Sequence, residues 1–100
     1  MLTWIRWKFF RYSQGFRRDQ RKALAEQQFK KVLSNLSAND IAFDLGANYG
    51  NISRRIAKTG AVVHAYEPDP LTFSKLQKNL EEINNIHLHN SACGDADGTM

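Results

Sequence analysis

The hydrophobic pattern changes period along the chain. Between positions 18 and 36 the apolar residues Ala25, Phe29, Val32, Leu33 and Leu36 recur at helical spacing, and Glu26 and Lys30 sit at the i, i+4 spacing that supports an exposed helix face. The turn formers at 37–40 close this helix. From Ile41 the runs become short and strand-like: IAFDL (41–45), AVVHA (61–65) and IHLHN (86–90). Between them, residues 51–58 read as a helix with Ile52 and Ile56 inward, stopped by Gly60. Residues 71–83 read as another, with Phe73, Leu76, Leu80 and Ile83 on one face. Strand–helix alternation with 10–15-residue crossovers predicts βαβ units, hence three parallel strands joined by right-handed connections.

The first sixteen residues, MLTWIRWKFFRYSQGF, follow neither pattern cleanly. Arg6, Lys8 and Arg11 break every apolar run, so no secretion signal is read here. As a helix ended by Gly15, the segment would place Ile5, Phe9, Tyr12 and Phe16 on one side, with Trp4 and Trp7 on the other. Aromatics interleaved with basic residues suit three settings: packing against protein, contact with a membrane interface, or stacking on nucleic acid. Packing against protein is the first reading, and no recognised module frames a nucleic-acid site, so no specific nucleic-acid partner is expected.

Charge separates this arm from the rest. The net charge of +4 is +6 over residues 1–22 and −2 over residues 23–100, so the basic character belongs to the arm. Residues 1–39 are therefore read as a basic aromatic arm with its helix, and residues 40–100 as the α/β unit. With 42% hydrophobic residues and six glycines the chain is globular in composition, and no run nears the ~20 apolar residues of a membrane span. The lone cysteine, Cys93, excludes an internal disulfide framework and a cysteine–zinc cluster and is read as a packing residue. A reducing, cytoplasmic setting follows, with peripheral membrane contact through residues 1–16 as one option. His64, His87 and His89 show no metal-ligand spacing with other candidates. His87 and His89 share one face of a strand.

Ligands of open parallel sheets sit beyond the carboxyl ends of the strands. Three loops lie there: DLGANYG (44–50), YEP (66–68) and NSACGD (90–95). Gly46 and Gly50 permit positive φ and close approach of a ligand to the backbone, and the helix that follows presents unpaired N–H groups. Glu67 lies 21 positions beyond Gly46, the spacing at which an acidic residue accepts ribose hydroxyls. The bland alternatives are that the glycines turn the chain and that Glu67 caps the helix after it. Asp44 could attract a cationic group. Dinucleotide binders use G-x-G-x-x-G; here Ala47, Asn48 and Tyr49 separate Gly46 from Gly50, which suits a nucleoside without a pyrophosphate and disfavours NAD.

FDLGANYG (43–50), VHAYEPDP (63–70), LQKN (76–79) and ACGD (92–95) with Gly98 stand in the order and at the spacing of the FkbM family, which this stretch resembles. The resemblance covers about residues 40–100. It implies a class I, Rossmann-like methyltransferase that uses S-adenosylmethionine for O-methylation of a small-molecule or glycan acceptor. It further implies that Asp44, Gly46, Ala47, Asn48 and Gly50 hold the methionine part, with Asp44 near its ammonium. Glu67 would hold the ribose and Asp95 the adenine, although residues 94–98 also read as a plain turn. Such a sheet has seven strands and three are found, so the chain reads as a cofactor-binding N-terminal part. Any catalytic residue and the acceptor pocket would lie downstream, and the chain alone is expected to be inactive. A non-catalytic interaction module using the basic arm is the remaining alternative.

Overall fold

The computed structural model describes residues 2–5 and 18–92. In chain order the elements are β1 (Leu2–Ile5), α1 (Arg18–Ser34), β2 (Ile41–Leu45), α2 (Asn51–Ala57), β3 (Val62–Tyr66), α3 (Pro70–Leu80) and β4 (Ile86–His89). The strands form one parallel sheet in the order β1-β2-β3-β4. This is the α/β alternation that the periodicity predicts from position 18 onward.

The fourth strand is the departure. Leu2–Ile5 falls in the arm read above as a possible helix, and it is a strand in register with β2, Leu2 beside Ile41 and Ile5 beside Asp44. Three of its four residues are β-branched or aromatic. The edge of β2 facing away from β3 would otherwise present a row of unpaired N–H and C=O groups, which an extended segment satisfies. The remainder of the expected arm helix, residues 6–16, lies outside the described residues, as do Cys93, Asp95 and Gly98.

The core lies between the sheet and the helices. Alternate strand positions Ala42, Val63 and Ala65 are fully buried, and Phe29 of α1, Ile56 of α2 and Leu76 and Leu80 of α3 close over them. Ile86 and Leu88 extend the same face on β4. In α1 the stripe is narrower than predicted: Phe29 is buried and Leu33 and Leu36 partly so, but Val32 is 36% exposed. Glu26 also finds a stronger partner than Lys30. Arg55 of α2 grips its carboxylate through both guanidinium nitrogens, at 3.0 and 2.5 Å, and stacks 4.7 Å above the Phe29 ring. That hydrogen-bonded guanidinium holds Glu26 below the usual carboxylate range, while Lys30 adds a smaller Coulombic contribution. The planar fork of Arg matches a carboxylate in a way a lysine ammonium does not. Among the described residues no helix is long and apolar enough to cross a membrane.

Candidate functional site

The loop between β2 and α2 is shaped by three left-handed residues. Gly46, Asn48 and Gly50 have φ of 78°, 55° and 97°. The N–H groups of Gly46 and Ala47 both donate to the Tyr66 carbonyl, at 2.8 and 2.9 Å, which draws the loop over the end of β3. Asn is the side chain that best tolerates the left-handed region after glycine, which explains Asn48. Gly50 is required twice over. Besides its φ, a Cβ there would lie 2.9 Å from Leu80 Cγ and Cδ1 and 3.0 Å from Leu76 Cδ1. The start of α2 therefore touches α3 only because no side chain intervenes.

Glu67 follows β3 directly and is 6% exposed. One carboxylate oxygen accepts the Asn48 N–H at 2.9 Å and the other accepts the Asp69 N–H at 3.2 Å. Its own N–H donates to the His89 carbonyl at 3.0 Å. Glu67 does not cap the following helix. Asp69 does, accepting the Thr72 N–H at 2.8 Å and the Thr72 hydroxyl at 2.7 Å, with Pro70 opening the helix. Those bonds keep the Asp69 carboxyl below its ordinary range. At the end of β4 the Asn90 amide donates to the carbonyls of Glu67 (2.9 Å) and Pro68 (3.2 Å). Gly46, Ala47, Asn48, Gly50 and Glu67 thus meet at the carboxyl end of the sheet, with the end of β4 alongside. Asp95 lies outside the described residues.

Asp44 sits deeper than the others. It is 1% exposed, and its Oδ2 accepts the Ser53 hydroxyl of α2 at 2.6 Å. A buried carboxyl group needs such a partner, and this one lies directly beneath the turn. Ser53, fully buried, is a residue that the sequence reading overlooked. So is Asn79, whose amide donates to the Tyr49 carbonyl at 2.8 Å while its own carbonyl accepts Arg54 at 2.7 Å. Asn79 closes the LQKN segment quoted above and Asn90 opens the 90–95 loop, which were their only signals; Ser53 had none. A cleft of about 300 Å³ opens over the loop, lined by Ala47, Asn48, Tyr49, Asn51 and Ile52.

The other sheet face carries a ladder of rings. Phe43, His64 and His87 stack across three strands, with centroids 5.5 and 4.9 Å apart, and Tyr66 stacks on His89 at 4.5 Å. His64 Nδ1 lies 3.0 Å from His89 Nε2, so one proton is shared between them. Burial, then the neighbouring histidines, lowers the pKa of both. Same-face placement of His87 and His89 was legible in the alternation; the participation of His64 needed the strand register.

The carboxyl end of the sheet at Glu67 has the chemistry for a nucleoside: a carboxylate for hydroxyls, a turn that lets a ligand close on the backbone, and a buried carboxyl group below it. No glycine stands between 46 and 50 to admit a pyrophosphate. Three curated relatives bear on this. The probable ribosomal RNA small subunit methyltransferase A of Methanosarcina acetivorans is 34% identical over 65 residues, which are 65% of this chain and 23% of that protein. Ribosomal RNA small subunit methyltransferase A of Thermotoga maritima is 36% identical over 55 residues, 55% of this chain and 20% of that protein. Its counterpart from Thermotoga neapolitana is 36% identical over 55 residues, 55% and 21% of the two chains. The matched stretch spans less than a quarter of each relative. No family model and no solved structure matches the chain. The similarity is distant and partial, and it stops at the level of methyltransferase.

Proposed function

We propose that this chain carries the S-adenosylmethionine site of a class I methyltransferase, of the FkbM type that residues 40–100 resemble. The observation that carries the reading is the meeting of Glu67 with the 46–50 loop, the acidic residue tied to the turn at 2.9 Å, together with the partial similarity to methyltransferases. When bound, S-adenosylmethionine supplies an electrophilic methyl on a sulfonium. The chain's own part is positioning, the main source of rate in a transfer between two bound reactants. In this reading Glu67 accepts the ribose hydroxyls. The turn of Gly46, Ala47, Asn48 and Gly50 lets the methionine part approach the backbone. Asp44 offers a negative charge beneath it to the ammonium, an attraction strengthened by the low dielectric of its buried position. Asp95 takes the adenine amino group.

The acceptor under this proposal is a small molecule or a glycan hydroxyl. The relatives above are named for ribosomal RNA, but they are matched over 20–23% of their length, and what they act on does not travel with so small a share. Isothermal titration of the chain with S-adenosylhomocysteine and with NAD tests the proposal. Heat of binding with the first alone is expected, weakened at least about tenfold by Glu67→Ala, the loss of a charge-assisted bond. Binding of NAD alone would overturn it.

A further inference from the structure

The Glu67 side chain is buried, and each of its two oxygens can accept a hydrogen bond. Among the described residues each oxygen accepts one backbone N–H: that of Asn48 on Oε1 and that of Asp69 on Oε2. These donors belong to different loops, one following β2 and one following β3. Asn48 is also the non-glycine residue held at φ 55°. The neighbouring loop amides take another anchor, since Gly46 and Ala47 donate to the Tyr66 carbonyl. Asn48 and Asp69 therefore hang on a single side chain, while the root of the loop does not.

We infer that Glu67 is a positioning residue: its carboxylate clamps the loop after β2 to the loop after β3, whatever ligand the site takes. The clamp explains why this residue is Glu and not Gln. An amide would turn a donor toward one of the two backbone N–H groups and leave it unsatisfied in a buried place.

Residue-resolved amide exchange on the full chain tests the clamp. In Glu67→Ala, which removes both acceptors, the Asn48 and Asp69 amides are expected to lose protection together, by about tenfold or more, while Gly46 and Ala47 keep theirs. Unchanged exchange at Asn48 and Asp69, or an equal loss at Gly46 and Ala47, overturns it. Should the variant fail to fold, the wild-type chain decides: a through-hydrogen-bond scalar coupling from the Asn48 amide nitrogen to the Glu67 carboxyl carbon is expected, and its absence refutes the clamp.

Discussion

Gly50 and Gly60 form a controlled pair for measuring what the loop's close packing is worth. Their backbones are nearly the same, with φ of 97° and 95°. Their surroundings differ. A Cβ on Gly60 would meet only Ala38, at 3.4 Å or more. A Cβ on Gly50 would lie 2.9 Å from Leu80 Cγ, and Leu76 and Leu80 are 0% and 2% exposed, so neither has room to swing away. Forcing alanine into the left-handed region costs about 1–2 kcal/mol. The stiffer unfolded chain returns about 0.4–1 kcal/mol. Gly60→Ala is therefore expected to destabilise by about 0–1.6 kcal/mol. Gly50→Ala carries the same balance plus the cost of overpacking a buried contact, about 1–3 kcal/mol. Domains of this size are stable by about 5–15 kcal/mol, so the difference is large on the relevant scale. Urea unfolding reads it directly, and thermal unfolding should separate the two variants by about 4 °C or more. Adding Leu80→Ala to Gly50→Ala should give a smaller total than the sum of the single changes, because the truncated side chain makes room for the methyl. Equal destabilisation by the two glycine variants, or a larger effect at Gly60, would refute the claim that α3 packs on the start of α2 through the missing side chain.

Other consequences are open to simpler tests. Ser53→Ala strips the buried Asp44 carboxylate of its hydroxyl donor and is expected to cost about 1.5–3 kcal/mol in urea unfolding, the usual worth of a hydrogen bond to a charged group. Phe29→Ala empties a fully buried site under α1 and should cost about 3–5 kcal/mol by the same assay. His64 and His89 both have folded pKa values below the ordinary 6.5, so the unfolded chain takes up protons first as pH falls. Their contribution to stability is complete above about pH 6.5 and is lost as pH drops through their lowered folded values; a series of melting temperatures from pH 8 to 5 should fall at the acid end, and His89→Gln should flatten it.

What the sequence disclosed depended on whether the signal was periodic. The strands at 41–45, 62–66 and 86–89 and the helices after the first two of them rest on apolar runs broken by Gly60 and by the proline pair at 68 and 70, and they were legible to within a few residues. The strand at 2–5 was not, because so short a segment takes its conformation from the free edge of β2 and not from its own pattern. The meeting of Glu67 with the loop was legible from spacing; the buried position of Asp44 was not, since it depends on Ser53 rising from α2 to meet it. Asn85, which donates to the carbonyls of Ala57 and Ala61, and Asn90, which ties the loop after β3, are single polar residues with no periodicity to betray them. The shared proton of His64 and His89 follows from the pairing of β3 with β4, a property of the folded sheet.

A nucleoside ligand is expected at the carboxyl end of the sheet, where the 46–50 loop meets Glu67. Titration of the isotopically labelled chain with S-adenosylhomocysteine, followed by its amide resonances, tests this. Saturable shifts are expected at residues 46–50, at residues 67–69 and at the end of β4, with α1 unmoved. No shift at saturating ligand, or shifts gathered instead in the cleft lined by Arg54, Ala57, Lys58, Glu82 and Ile83, would contradict it.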